Sequence, residues 1–492
     1  MTPKQDFYKM LGLNRNASAD EIRQAYFLAA QRYHPDKNTT PGDTEFFLDI
    51  QEAYEVISDS KRRSKYDASL PPETVVEKPL DHRFLFSRQS LIRMSEPQLI
   101  YVYMEFSPPN NLQAPPPPSL NLCLVIDRST SMQGMNMDVV KATAIQIMRK
   151  MKPVDIFSVV AFSDRAEQII PAARNSDLSK QESRIHKLQP SGGTEIFSGL
   201  EMGYNEIIRN VNHAQVNHII LLTDGRTYGD EDKCISLAHR AADQGIGISG
   251  LGIGSEWNDN FLDNLASSTG GSSMYVSRPQ DIQKTLLDKF NQLGRAYCEE
   301  TRMDYRIPPG IEMRYAFRIQ PESGALTGAS PMMMGPIARD SSLKLLLEFV
   351  IQPQNVTQKS VPLFDGKISV SLANEQGLKR PIAIRLARPV SNEPSAVIPP
   401  LEIVDALSHL KLYRLQEQAR LEVTAGEYDK ASEHLHRLAT HLLSRGERGL
   451  ARTALVEAEH IKQNKSFSQQ GQKEIKYGTR ALLKSGRSTE DL

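Results

Sequence analysis

Apolar positions in residues 18–33 recur with a helical period. Ile22, Tyr26, Ala29 and Tyr33 fall at i, i+4, i+7 and i+11, one buried stripe. Residues 44–58 repeat the pattern with Phe47, Ile50, Tyr54 and Ile57. Ser18 precedes Asp20 and Glu21, which gives the first helix a cap residue and acids at its positive end. The two helices are expected to form an antiparallel hairpin. Pro35 fixes its own φ and biases His34 away from helix, so the first helix should end there. That leaves His34-Pro35-Asp36 on a rigid tip. From 83 to 110 the pattern alternates as in strands, and Pro115-Pro116-Pro117-Pro118 reads as a stiff spacer. From 120 to about 296, apolar runs such as Leu122-Cys123-Leu124-Val125-Ile126 alternate with helical stretches, which predicts a parallel α/β sheet. Strand-like runs return over 297–390, for instance around Leu345-Leu346-Leu347. After Pro399-Pro400 the chain reads as helical to about 485, with breaks near Gly426, Gly446 and Asn464.

These regimes predict a multidomain chain. Residues 1–70 form an all-α domain, and 71–82, with Pro71, Pro72 and Pro79, form a linker. Residues 120–296 form a Rossmann-like α/β domain with helices on both faces of a parallel sheet. Residues 83–119 and 297–390 are expected to build one β-sandwich-like unit. The first piece is too short for a sandwich, and unpaired edges would invite aggregation. The α/β domain is then an insertion, which is feasible because domain termini tend to lie close together. Residues 400–485 form an α-helical bundle.

Composition narrows the functions. Among 492 residues, Lys plus Arg number 59 and Asp plus Glu number 59. Neutrality argues against a bulk nucleic-acid binder or a polybasic membrane-surface protein. Hydrophobic residues at 39 % and charged residues at 24 % suit globular domains with real cores. Cys123, Cys234 and Cys298 include no C-x-x-C pair, which excludes a zinc ribbon or dithiol motif and suits a reducing compartment. No apolar run approaches the ~20 residues that span a bilayer, and residues 1–6 lack a signal-peptide stretch. A cytoplasmic protein without membrane insertion is expected. The chain has no Gly-x-Ser-x-Gly elbow, no Walker-type phosphate loop and no His-Glu-x-x-His run. Gly250-Leu251-Gly252-Ile253-Gly254 falls inside a strand pattern. A non-enzymatic role is expected.

Residues 5–68 carry Asp6-Phe7-Tyr8, Leu11-Gly12, Ala25-Tyr26, Tyr33-His34-Pro35-Asp36-Lys37-Asn38, Glu52-Ala53-Tyr54-Glu55-Val56 and Tyr66-Asp67. The segment resembles the J domain of the DnaJ co-chaperone family. The resemblance implies docking on a DnaK-type ATPase chaperone and stimulation of its ATP hydrolysis, with His34, Pro35 and Asp36 carrying the signal. Arg23 and Arg32 keep part of the basic face usual on the second helix, whereas Phe27 and Leu28 stand where basic residues are common. Phe27 has two readings: apolar contact with the chaperone, or packing on another domain of the chain. The cysteine-rich and Gly/Phe-rich regions of DnaJ are absent, so client choice is expected to lie in the other modules.

The strand at 122–126 ends in Asp127-Arg128-Ser129-Thr130-Ser131. Ligands bind at the carboxyl ends of strands in open parallel sheets. The carboxylate and two hydroxyls at i, i+2 and i+4 are hard oxygen donors that suit Mg²⁺. Ser191-Gly192-Gly193-Thr194 and Thr223-Asp224-Gly225 offer two further loops with oxygen donors. Residues 120–296 resemble a von Willebrand factor type A domain. By that resemblance Asp127, Ser129, Ser131, Thr194 and Asp224 form a metal-ion-dependent adhesion site for Mg²⁺ or Mn²⁺. The remaining coordination position would take an acidic side chain of a partner protein. Thr130 and Glu195 depart from the family pattern. Asp230, Glu231 and Asp232, in a stretch resembling bacterial members, either rim the site with acid or begin a helix. Trp257, the only tryptophan, is either an exposed anchor or a packed residue.

The flanking strand segments loosely resemble the β-sandwich around the von Willebrand domain of bacterial chloride-channel-activator-like proteins. Ala425-Gly426-Glu427-Tyr428-Asp429-Lys430-Ala431 resembles a tetratricopeptide-like turn, which leaves a peptide groove or a plain bundle open. Two functions compete. One is a J-domain co-chaperone that holds a client through a metal bridge and brings the ATPase to it. The other is a non-catalytic scaffold or accessory of a MoxR-type AAA ATPase.

Overall fold

The computed structural model describes residues 7–11, 17–33, 43–69, 79–109, 117–174, 177–212, 215–227, 229–356, 359–372, 379–393 and 398–482. The His34-Pro35-Asp36 tip lies outside the described residues. The chain divides into two compact units, 1–77 and 78–492.

The first unit contains the helices Phe7–Met10, Ala19–Tyr33, Asp43–Ile57 and Ser60–Ser69. Its core gathers Tyr8, Leu11, Ile22, Ile50, Ala53 and Ile57, so the stripes read from the periodicity face one another. Tyr26 and Tyr54 stack across the hairpin with centroids 4.1 Å apart. Ser18 and Glu21 form a reciprocal capping box. The Ser18 N–H donates to Glu21 Oε2 (2.7 Å) and the Glu21 N–H donates to Ser18 Oγ (3.3 Å). Arg63 ties the last helix back, donating to the Tyr8 hydroxyl and to the Ala17 carbonyl, each at 2.8 Å.

The second unit is built on three sheets. The α/β sheet runs in the order Ala166–Arg174, Ile156–Phe162, Ser119–Asp127, Gln215–Thr223, Ile246–Ile253, Ser273–Val276. Its strand pairs are parallel except for the edge strand Ala166–Arg174, which pairs antiparallel. Strands buried on both faces explain the unbroken apolar runs. Separate apolar clusters fill the two faces, one under Met135–Lys150 and Pro279–Gly294, the other under Ile196–Ile208 and Glu231–Asp243.

Two further sheets take strands from both sides of the α/β region. One orders Asp81–Phe86, Gln98–Ser107, Leu343–Ile351, Ile311–Gln320 and Gly324–Ala325. The other orders Met332–Met333, Ala296–Arg306, Ser360–Leu372, Lys379–Ser391 and Leu91–Ile92. A single apolar cluster, including Phe106, Phe349 and Phe364, draws residues from both. Buried Arg318 staples this unit to the α/β domain, donating to the Gly270 carbonyl (3.1 Å) and the Gly271 carbonyl (2.6 Å).

The tail comprises the helices Leu401–Thr424, Tyr428–Ser444, Arg448–Asn464 and Gln469–Leu482. Its first two turns are copies of each other. Gly426 and Gly446 take φ of 78° and 82°, the left-handed region that glycine enters without strain. In each turn the following N–H reaches back into the preceding helix, Glu427 to the Glu422 carbonyl (2.8 Å) and Glu447 to the Leu442 carbonyl (3.0 Å). The first tail helix lays Ile403, Ala406, Leu410 and Tyr413 on Tyr103, Phe317 and Leu346 of a sheet.

The last tail helix docks on the α/β domain through a buried charge cluster. Lys476 pairs with Asp263 (2.8 Å) and with Asp259, and Arg480 Nη1 donates to Asp263 (2.8 Å). Burial opposes the charge on Asp263, yet the Arg480 and Lys476 cations hold its carboxyl far below the usual range. Trp257 is packed, not displayed: its ring meets Tyr275 and Tyr477, and its Nε1 donates to the Gly254 carbonyl (2.8 Å). Among the described residues no helix is long and apolar enough to cross a membrane.

Candidate functional site

Three loops meet at the carboxyl ends of the central strands, and backbone hydrogen bonds fix their spacing. The Arg128 N–H donates to the Phe162 carbonyl (2.8 Å), the Ser191 N–H to the Arg128 carbonyl (2.7 Å), and the Thr130 N–H to the Gly192 carbonyl (3.2 Å). A 3-10 turn, Thr130–Met132, follows the strand Ser119–Asp127 and points Ser129 and Ser131 to the same side. Asp164, on the turn between Ile156–Phe162 and Ala166–Arg174, accepts from the Gly193 N–H (2.8 Å) and so braces the second loop.

Four of the five expected ligands form one hydrogen-bonded group. Asp127 is fully buried. Its Oδ1 accepts from the Ser129 N–H (2.8 Å) and its Oδ2 from the Thr223 hydroxyl (2.7 Å). Ser129 Oγ lies 2.9 Å from Ser131 Oγ, and Ser131 Oγ donates to Asp224 Oδ1 (2.6 Å). Thr194, the fifth, packs its hydroxyl against the Gly225 backbone beside Asp224. A Cβ on residue 225 would come within 2.8 Å of Thr194 Oγ1.

The electrostatics follow from burial. Desolvation pushes the Asp127 carboxyl up to about 6 against the hydrogen bonds from Ser129 and Thr223, with the nearby Asp224 charge adding to the rise. Burial also raises Asp224, opposed by hydrogen bonds from Ser131 and Asn136. Neither acid is paired with a basic side chain among the described residues. Two desolvated carboxylates and convergent hydroxyls, with no protein cation between them, are a donor set that suits a hard divalent ion. Among the described residues no group of three or more His, Cys, Asp or Glu side chains is placed to hold a metal. Any ligand set here therefore depends on the hydroxyls.

Thr223, Asn136 and Asp164 were not singled out in the sequence. Thr223 had a signal, as the last strand residue before Asp224; the other two had none. Asp230 is buried rather than on an acidic rim. It occupies the cap position of Glu231–Asp243, and its side chain accepts from the Phe197 N–H (2.8 Å) at the start of Ile196–Ile208. Glu195 is exposed at the cap position of that second helix and makes no capping hydrogen bond. On the N-terminal unit, Arg23 and Phe27 stand one turn apart on Ala19–Tyr33, and both are exposed, Phe27 at 70 %. Arg32 lies in the last turn of the same helix.

Comparison with known proteins assigns the modules. Residues 6–67 match the DnaJ domain, 121–290 the von Willebrand factor type A domain, and 401–485 the Sll0103-like C-terminal alpha-helical domain. The chain is thus a J domain fused to a von Willebrand factor type A domain, with a Sll0103-like helical domain behind it. An uncharacterised protein of Synechocystis sp., sll0103, is 27 % identical over 333 residues, covering 65 % of this chain and 78 % of that protein. DnaJ protein homolog 1 of Drosophila melanogaster is 57 % identical over 63 residues, only 13 % of this chain and 19 % of that one. A von Willebrand factor type A structure from Catenulispora acidiphila superposes with a TM-score of 0.63 at 15 % identity, covering 83 % of this chain and 98 % of that one. The ArnB paralog VWA2 from Sulfolobus acidocaldarius gives 0.52 at 14 %, covering 82 % and 98 %. At these identities the likeness is one of fold.

Proposed function

We propose that this protein is a J-domain co-chaperone. Its DnaJ domain recruits and stimulates a DnaK-type ATPase chaperone. Its von Willebrand domain holds a protein client or complex through a divalent cation. The observation that carries the second half is the hydrogen-bonded oxygen cluster of Asp127, Ser129, Ser131 and Asp224, with Thr194 beside it at the strand ends. Mg²⁺ or Mn²⁺ bound there supplies a Lewis-acid point that an acidic partner side chain can ligate.

The chain's own residues do the remaining work. Asp127, held by Ser129 and Thr223, contributes fixed negative charge from below. Buried Ser129 and exposed Ser131 offer hydroxyl oxygens, and Asp224 keeps Ser131 aimed. In the first unit, Arg23 supplies charge attraction and exposed Phe27 supplies apolar contact toward the ATPase. Joining both modules in one chain raises the effective concentration of chaperone at the client without any new contact.

The test is steady-state ATP turnover of the cognate DnaK-type chaperone with wild-type protein and with His34→Gln. Stimulation by wild type and its loss in His34→Gln is expected. No stimulation by wild type would end the recruitment reading.

A further inference from the structure

A groove of about 470 Å³ opens between the helix Ile196–Ile208 and the turn into the edge strand Ala166–Arg174. One wall is a single helix face, on which Ser198, Met202, Asn205 and Arg209 follow Glu195 at steps of three or four residues. The other wall includes Asp164, Arg165, Ala166 and Gln168. The groove starts at the oxygen cluster. Glu195 directly follows Thr194, and Asp164 accepts from the Gly193 N–H (2.8 Å) on the other side of Thr194. From Glu195 to Asn205 the helix rises about 15 Å, which matches about four or five residues of extended chain.

Charge is uneven along the groove. Over its first two turns stand the exposed carboxylates of Asp164, Glu195 and Glu201. Among the described residues none of the three is ion-paired. Exposed Arg165 is the cation that faces the same stretch. At the far end the charges are already engaged. Arg209 pairs with Glu206 (2.6 Å), and buried Glu206 also accepts from Gln168 Nε2 (2.6 Å) and the Ala172 N–H (2.7 Å). The groove is therefore negative next to the oxygen cluster and balanced farther away. Half-buried Ala166 and Met202 add apolar surface between the acids.

Resting on the reading that the oxygen cluster holds a client through a cation, we infer that this groove takes the client segment beside the metal-bound acid, and that the segment carries Lys or Arg within about five residues of that acid. The cation accepts the client's carboxylate. The carboxylates of Glu195, Glu201 and Asp164 then favour a basic neighbour and repel a second acid. The client motif is of mixed charge, not a run of acids.

The test is fluorescence anisotropy of labelled peptides with the full chain in Mn²⁺. The first probe is Gly-Ser-Asp-Gly-Ala-Lys-Ala-Arg-Gly, and the second replaces its Lys and Arg by Ala; each is also made in reverse order. In at least one order the basic probe should bind about threefold tighter or more, the scale of one or two exposed ion pairs. That advantage should shrink in about 0.5 M chloride. In Glu201→Lys the ratio of the two affinities should fall to one or invert, and a ratio is insensitive to a general loss of binding. Calorimetric titration of Mn²⁺ into the same wild-type sample separates the two levels of the argument. Without Mn²⁺ binding, the metal reading falls and this inference falls with it. With Mn²⁺ bound, the inference alone is overturned if no probe binds, if both probes bind equally in both orders, or if Glu201→Lys keeps the wild-type ratio.

Discussion

Replacing Asp263 by Asn removes the carboxylate that two buried cations share. Lys476 is 1 % exposed and Arg480 is 8 % exposed, so neither can turn to water for compensation. Asp259 still pairs with Lys476, but Arg480 loses its carboxylate partner. Breaking one side of a buried pair in this way costs about 3–5 kcal/mol, mostly from the charge left behind. The double variant Asp263→Asn with Arg480→Met should recover a large part of that loss, since it removes the stranded cation along with its partner. Trp257 gives the assay directly. It is the only tryptophan and packs against Tyr477 of the same tail helix, with the Lys473 ammonium 5.0 Å from its ring centre. Its emission during urea unfolding therefore reports tail docking. The Asp263 carboxyl sits far below the unfolded carboxylate range, so its contribution is complete above the unfolded value and is lost only as pH falls through the depressed folded value. The difference between wild type and Asp263→Asn should therefore persist through mildly acidic pH. A loss below about 1 kcal/mol for Asp263→Asn, the scale of an exposed ion pair, would refute the reasoning.

Three further outcomes follow from other parts of the molecule. His218 is buried against Ser249 (2.9 Å), and burial, with Lys289 nearby, pulls its imidazole down to about 3, so it folds neutral. Stability should then decline below about pH 6.5 with a slope of up to about 1.4 kcal/mol per pH unit from this group, and thermal melts between pH 4 and 7 should show a shallower slope in His218→Gln. Ser18→Ala breaks the capping box and should cost about 1 kcal/mol in the first unit, seen as a lower helical melting midpoint by circular dichroism. Gly252→Ala would drive a Cβ into the Trp257 ring, so a cost of about 1–3 kcal/mol and a red-shifted tryptophan emission are expected; unchanged emission would contradict the packing described.

Much of the fold class was legible because the signals were local. The 3.6-residue stripe of Ile22 and its partners, the unbroken apolar run at 122–126, and the glycine breaks at 426 and 446 each constrain the backbone within a few residues. The family motifs marked the loops of the oxygen cluster for the same reason: Asp127, Ser129 and Ser131 sit within five consecutive positions. What stayed hidden depends on contacts remote in sequence. Nothing near Ala166–Arg174 announces that it pairs antiparallel at the edge of an otherwise parallel sheet. Asp230 looks like an ordinary acid at a helix start, yet its side chain serves a helix that begins more than thirty residues earlier. Lys476 and Arg480 read as solvated charges on a tail helix until the fold brings them to Asp259 and Asp263, over two hundred residues away. Asn136 and Asp164 support the site from positions that no spacing rule marks.

The client-holding half of the proposed function depends most on whether the oxygen cluster holds a cation. Titration of Mn²⁺ into the metal-free full chain, followed by calorimetry, asks this directly. The account predicts one saturable site in the wild type and its loss in Asp127→Asn, which keeps the side-chain shape while removing the charge. No binding in the wild type, or equal binding in Asp127→Asn, would contradict it.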